Sequence, residues 1–260
     1  MILVCDVGNT NIVFGVFDKN KLLLQFRIST IVKRSSDEYA VIILPVLREN
    51  GINKDDINDV VIASVVPPLL FHIKNTFRKY FKIKPMIVDC IDSGFGIKNL
   101  YSPPEHVGVD RIINSVAGYE KYARALIIID FGTATTFDVV SAKGEYIGGV
   151  ITPGIKIAKE ALFLNTSKLP KVEIERPPSV VGKNTIHSIQ SGLTFGYSAL
   201  VDGIVGQIKT EYKDENFKVI ATGGLATIID EISNTIEYVE RDLTLNGLNI
   251  IFNKRKKDEF

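Results

Sequence analysis

Two short stretches, 124 residues apart, each set an aspartate two places before a glycine and follow it with small hydroxyl or amide side chains. The first has Asp6, Gly8, Asn9, Thr10 and Asn11; the second has Asp130, Gly132, Thr133, Thr135 and Thr136. These residue types suit an anion cradle. Glycine lets backbone N–H groups come close to a phosphate, and short polar side chains add donors without filling the space. An aspartate at the strand end would repel a phosphate unless a cation or a bound water lay between them, and a cation is expected nearby. One such hairpin could be a turn and nothing more; two at matching places favour a phosphate site. A third candidate is Asp110, just ahead of an apolar run, followed by Arg111. An aspartate there can cap a helix, and it can also accept a proton with the helix N-terminus supporting its charge. Arg111 could hold an anion through its planar fork, or lie on the surface.

The elements that position these residues are legible in the pattern. ILVC, NIVFGVF and LLLQFRI read as three antiparallel strands joined by tight turns. Ser35 and Glu38 have capping-box spacing before a helix that ends at Gly51 and that Pro45 should kink or shorten. DVVIASVV then reads as a strand, PPLLFHIKNTFRKYF as a helix opened by proline, and PMIVDC as a strand. A loop from Ile91 to Val109 leads into a helix marked by Ile112, Val116 and Tyr119. At Ala125 the opening pattern returns as ALIIID, TTFDVV and EYIGGVI. Helices at GIKIAKEALFL and Thr185–Tyr212, a strand at FKVIATGG and a helix at LATIIDEIS complete this half. A repeat of about half the chain means a duplicated domain. The expected division is residues 1–122, residues 123–253 and a basic, poorly ordered tail, 254–260.

Other chemistries lack support. Around Gly182 and Lys183, Asn184 replaces the Ser/Thr of a P-loop and Pro177 replaces its first glycine. Gly94 and Gly96 are followed by Asn99, which breaks a dinucleotide fingerprint. His72, His106 and His187 lie in no zinc-binding spacing. Cys5 and Cys90 sit in apolar runs and read as buried thiols. Among 260 residues, 31 Lys and Arg balance 30 Asp and Glu, so no general field attracts nucleic acid or an anionic membrane. With 45% hydrophobic residues, no uninterrupted apolar span and no basic segment ahead of the first apolar run, the chain is expected to be globular and cytoplasmic.

DVGNTNIVFG, GVDR, DFGTATTFD and GGVITPG, in this order and spacing, resemble type III pantothenate kinase, a family of the actin-like superfamily. SVVP at Ser64–Pro67, GKNT…SIQSG at Gly182–Gly192, ATGG at Ala221–Gly224 and LTLNGL at Leu243–Leu248 add to the likeness. The resemblance implies an α/β fold of duplicated actin-like (ribonuclease H-like) domains, each a mixed sheet flanked by helices, with an interdomain ATP cleft. It implies ATP-dependent phosphorylation of pantothenate to 4′-phosphopantothenate, the first committed step toward coenzyme A. By the same likeness, Asp6, Val7, Gly8, Asn9, Thr10, Asn11, Ile12 and Val13 form the first phosphate loop, and Thr133 contacts ATP. Asp130 holds a monovalent cation, potassium or ammonium, and magnesium accompanies the nucleotide. Gly108, Val109, Asp110 and Arg111 meet pantothenate, with Asp110 as proton acceptor; Tyr101 and Thr185 are further contacts. A homodimer is implied. Without the resemblance, Tyr101 reads as an ordinary half-buried aromatic, and either Thr185 or Asn184 as the cap of the long helix. The alternative function is a non-enzymatic transcription accessory protein of the same fold.

Overall fold

The central strand of each half is apolar on both faces, and this places it in the middle of a sheet. In the computed structural model, which describes residues 1–91, 95–213 and 215–258, the chain divides into two units. The first is Met1–Ala117 with the C-terminal segment from Thr244, and the second is Gly118–Leu243. Gly94 and the last two residues of the expected tail lie outside the described residues.

In the first unit β1 (Ile2–Val7) pairs antiparallel with β2 (Asn11–Asp18), which pairs antiparallel with β3 (Lys21–Ser29). On its other side β1 runs parallel to β4 (Asp59–Ser64), and β4 to β5 (Met86–Ile87). β3 lies at the sheet edge and alternates exposed with half-buried residues. Helix α1 (Ser36–Glu49) begins with the expected capping box: Ser35 accepts from the Glu38 amide and the Glu38 carboxylate accepts from the Ser35 amide at 2.7 Å. It runs through Pro45 to its end. Helix α2 (Pro67–Thr76) opens on proline and passes into a widened turn, Phe77–Phe81. Both helices cover one sheet face, where Leu3, Cys5, Ile12, Phe14, Tyr39, Ile43 and Leu69 form the core. Cys5 and Cys90 are buried free thiols, as expected. The short strand β6 (Lys98–Asn99) interrupts the loop before helix α3 (Val109–Tyr122).

The second unit repeats the plan. β7 (Leu126–Phe131), β8 (Ala134–Val140) and β9 (Glu145–Pro153) form the antiparallel meander. β10 (Lys218–Thr222) runs parallel to β7, and β11 (Tyr238–Val239) parallel to β10. Helices α4 (Ile155–Leu164), α5 (Thr185–Glu211) and α6 (Ala226–Asp230) complete the unit. The strand order around each central strand is therefore the same, down to the irregularities. A bulge lies between Val16 and Phe17 in one meander and between Val139 and Val140 in the other. These positions are 123 residues apart, one fewer than the aspartates, because the second hairpin turn is one residue shorter.

The C-terminal residues depart from expectation. The basic tail is the end of helix α7 (Leu243–Asp258), and that helix, from Thr244, belongs to the first unit. The other division falls at Ala117–Gly118, inside α3, rather than at Tyr122. The reason is the apolar face of α7: Leu245, Leu248, Ile251 and Phe252 are buried, and Leu245 approaches Gly15 of β2. Its basic end is tied down as well. Lys254 Nζ donates to the Phe95 carbonyl at 3.3 Å, and Lys256 pairs with Asp59 at 3.2 Å. Among the described residues, no helix is long and apolar enough to cross a membrane.

Candidate active site

In the first hairpin, strand alternation divides the eight predicted residues. Val7 and Ile12 face the core, so they have only backbone to offer a ligand. Asp6 and Val13 stand opposite each other on the other face, half-buried. Gly8, Asn9 and Thr10 make the turn. It is held tightly: the Gly8 amide donates to the Asn11 carbonyl at 3.0 Å, and Thr30 Oγ1 donates to the Gly8 carbonyl at 2.7 Å. The Thr30 amide also donates to the Thr10 carbonyl at 3.0 Å. The Gly8 amide is thus spent on the turn, and the surface offered to an anion is the exposed tip, Asn9 and Thr10, beside Asp6.

In the second hairpin Asp130 stands opposite Thr136, and Phe131 opposite Thr135. Thr136 therefore shares the face of Asp130, while Thr135, read from sequence as a cradle hydroxyl, is fully buried on the core side. The turn is Gly132 and Thr133, both exposed. One glycine makes room for the Asp130 carboxylate, and another lies beside it at ordinary contact distance. A Cβ on Gly132 would sit 3.6 Å from Asp130 Oδ1, and one on Gly223 would sit 2.7 Å away. Gly223, immediately after β10, also has φ near +93°, a conformation that disfavours a side chain. Gly154, at the N-terminus of α4, packs against the Thr133 carbonyl, where a Cβ would collide. The ATGG and ITPG motifs thus converge on one hairpin.

The acceptor candidates lie on the approach to α3. Asp110 is not the helix cap; it lies in the first turn, and its Oδ1 accepts the Arg111 amide at 2.9 Å. A Cβ on Gly108 would collide with that oxygen, so glycine is required for the carboxylate to fold back. Desolvation raises the Asp110 pKa above its ordinary value, opposed by the Arg111 amide and charge. Arg111 is only 7% exposed, which removes the surface reading. Val109 is buried and Tyr101 half-buried, with the Tyr101 amide donating to Asn99 Oδ1 at 3.0 Å. Thr185 is the exposed first residue of α5, and Asn184 is the cap, accepting the His187 amide at 2.8 Å.

Tyr101 and Gly108–Arg111 belong to the first unit, as does Asp6–Val13, and Asp130, Thr133 and Thr185 belong to the second. The structure adds residues that sequence reasoning did not single out. Gly223 was visible only as part of a motif. Asp138, fully buried on β8, accepts the Tyr146 hydroxyl at 2.9 Å. Its signal is an aspartate between apolar Phe137 and Val139 inside a strand.

The family model for type III pantothenate kinase matches residues 2–207. A type III pantothenate kinase of Citrifermentans bemidjiense is 52% identical over 260 residues, covering 98% of this chain and all of that one. Its counterparts in Geobacter sulfurreducens and Myxococcus xanthus are 50% and 46% identical, with 99% and 98% of this chain covered. Each alignment takes in nearly all of the relative, 100% and 98%. These relatives do not favour the transcription-accessory reading. Among solved structures, the ROK hexokinase of Thermus thermophilus superposes with a TM-score of 0.51 at 12% identity, covering 98% of this chain and 99% of that one. The ethanolamine utilization protein EutJ of Carboxydothermus hydrogenoformans gives 0.57 at 14%, over 96% and 89%. Those two likenesses speak to the fold alone, and the fold is the duplicated actin-like one. Full-length identity near one half, together with a family model matched over residues 2–207, makes the chain a member of the type III pantothenate kinase family.

Proposed function

We propose that the protein transfers the γ-phosphoryl group of ATP to the hydroxyl of pantothenate, giving 4′-phosphopantothenate. The observation that carries this reading is Asp110. It is a half-buried carboxylate with a raised proton affinity, on the first turn of α3, directly after a glycine that makes room for it. Asp110 accepts the hydroxyl proton as the oxygen attacks phosphorus. Phosphoryl transfer asks little else of a protein than positioning and charge stabilisation. Arg111 supplies positive charge beside it, toward the pantothenate carboxylate or the transferred group. The hairpin tips at Asn9–Thr10 and Gly132–Thr133 hold the nucleotide phosphates, magnesium entering with the nucleotide. Tyr101, Gly108, Val109 and Thr185 contact the acceptor.

Asp130 would hold the monovalent cation, potassium or ammonium. Among the described residues no three His, Cys, Asp or Glu side chains converge. A cation at Asp130 would therefore meet fewer than three such side chains and otherwise neutral hydroxyl and carbonyl oxygens, a set that suits a hard, singly charged ion. When bound, it supplies the charge that lets a carboxylate and a phosphate be neighbours.

A homodimer is part of the reading. What supports it is a stripe on α5: Gly192, Gly196, Ala199, Gly203 and Gly206 recur at intervals of three and four and are all exposed. Side chains this small let a second helix approach closely. The compartment proposed is the cytoplasm, where the two free thiols would stay reduced. Nucleic acid is not a proposed partner of a chain with net charge +1.

The deciding experiment couples ADP release to a signal, with ATP, magnesium and potassium, with and without pantothenate. Pantothenate-dependent release, with the product confirmed by mass, is expected. No release above background from folded protein would overturn the reading.

A further inference from the structure

We infer that Asn99 is a positioning residue for the acceptor: its carboxamide holds the loop that presents Tyr101. This inference rests on the reading of Tyr101 and Gly108–Arg111 as acceptor contacts. Among the described residues between Ile87 and Val109 the chain has little regular structure; its elements include the two residues of β6 and a 3₁₀ turn, Pro104–His106. Backbone groups in such a stretch must find partners elsewhere. One side chain supplies three. Asn99 Nδ2 donates to the Cys90 carbonyl at 3.4 Å and to the Pro104 carbonyl at 3.2 Å, while its Oδ1 accepts the Tyr101 amide at 3.0 Å. Three separate stretches, at residues 90, 101 and 104, are thereby tied to one point.

Neighbouring contacts reinforce the tie. Cys90 Sγ lies 3.9 Å from the Glu105 carbonyl, so Cys90 meets the 104–105 segment directly as well as through Asn99. Phe95, in the same stretch, is fully buried, with the Arg255 guanidinium 5.3 Å from its ring. The loop then reaches Val107, buried, and Gly108, where the acceptor residues begin. Asparagine has the chemistry this position needs: two N–H donors and an acceptor on a short stem. Aspartate keeps the acceptor and sets a carboxylate against two carbonyls; alanine loses all three bonds.

The test compares Asn99→Asp and Asn99→Ala with the unaltered protein. Loss of these bonds is expected to raise KM for pantothenate about tenfold, leaving kcat and KM for ATP within about twofold. Hydrogen exchange at the Tyr101 amide is expected to quicken in Asn99→Ala, whether or not the preparation is active. Pantothenate KM unchanged in both variants, or kcat falling while both KM values rise together, overturns the inference. So does an unchanged Tyr101 exchange rate. If the unaltered protein shows no pantothenate-dependent turnover, the acceptor reading fails, and the exchange rate alone decides whether Asn99 holds the loop.

Discussion

The Asp110 carboxylate turns back on its own helix to accept the Arg111 amide at 2.9 Å, in the space left by the missing side chain of Gly108. Burial raises its pKa above the ordinary 3.8, and the Arg111 amide and charge only partly oppose this. A carboxyl with a raised folded pKa binds its proton more tightly in the folded state. It favours folding below the ordinary value, and that contribution is lost as pH rises through the folded value. At neutral pH ionised Asp110 therefore costs stability. Asp110→Asn is expected to melt higher than the unaltered protein near pH 7, with the gap closing as pH falls toward the ordinary carboxylate range. The same variant should lose about 10²–10⁴-fold in turnover if Asp110 is the base. Thermal melts across pH and a steady-state assay check both. Unaltered turnover would remove Asp110 from the base role, and a variant less stable at neutral pH would contradict the desolvation argument.

Gly223 bears on the other carboxylate. Its φ is near +93°, and a Cβ there would stand 2.7 Å from both Asp130 Oδ1 and the Phe131 carbonyl. Gly223→Ala should cost about 1–3 kcal/mol of stability through backbone strain. It should also displace Asp130. The potassium concentration giving half-maximal turnover is expected to rise more than KM for pantothenate does. A potassium titration of turnover, run beside a pantothenate titration, reads the difference. Equal effects on both would separate Gly223 from the Asp130 site.

The two hairpins could be read from sequence because their information is local: period-two apolar strands, a turn-forming tripeptide and an aspartate at each strand end. The duplication was legible for the same reason. Which hydroxyl faces which side was not. Thr135 and Thr136 exchange faces with a shift of one residue, and that shift is set by the shorter turn at Gly132–Thr133, two residues against three in the first hairpin. The Asp138–Tyr146 hydrogen bond joins two strands across a bulge at Val139/Val140, so its register follows no simple pattern. Helix α7 was missed because its charged end drew the reading toward a solvated tail. Its apolar residues, from Leu243 to Phe252, had the spacing of a buried face. Asn99 carried no signal, since its partners lie on three loop segments.

Gly247 of the LTLNGL motif marks where α7 meets α3. A Cβ there would lie 2.5 Å from the Ile113 carbonyl, and Thr244 Oγ1 donates to Asn114 Oδ1 at 2.7 Å nearby. The contact fixes the helix whose first turn holds Asp110. Gly247→Leu should destabilise by about 1–3 kcal/mol through overpacking. At this size that lowers Tm by roughly 2–4 °C per kcal/mol. Turnover should fall beyond the loss of folded protein, because α3 shifts. Truncating Leu248 instead leaves the α7–α3 crossing in place and should cost about 2–5 kcal/mol with turnover of the folded fraction near normal. Comparing Tm with turnover per folded molecule in the two variants tests the assignment. Equal specific turnover in both would mean that α7 only stabilises.

The stripe on α5 predicts its own test. Gly192, Gly196, Ala199, Gly203 and Gly206 are exposed, and a Cβ on any of the four glycines meets nothing within 4 Å. Replacing one of them therefore costs the single chain little beyond helix propensity, where alanine and leucine exceed glycine by up to about 1 kcal/mol. Gly196→Leu should leave an isolated chain at least as stable. Against a second helix the same leucine would hold the backbones apart, and the loss would fall on association. If the protein is a dimer through α5, light scattering should give twice 28.8 kDa for the unaltered chain and a shift toward 28.8 kDa for Gly196→Leu at the same concentration. Turnover should fall with dissociation if the acceptor site needs the partner subunit. A Gly196→Leu protein that keeps the dimer mass would place the interface elsewhere, and an unaltered protein at 28.8 kDa would remove the dimer.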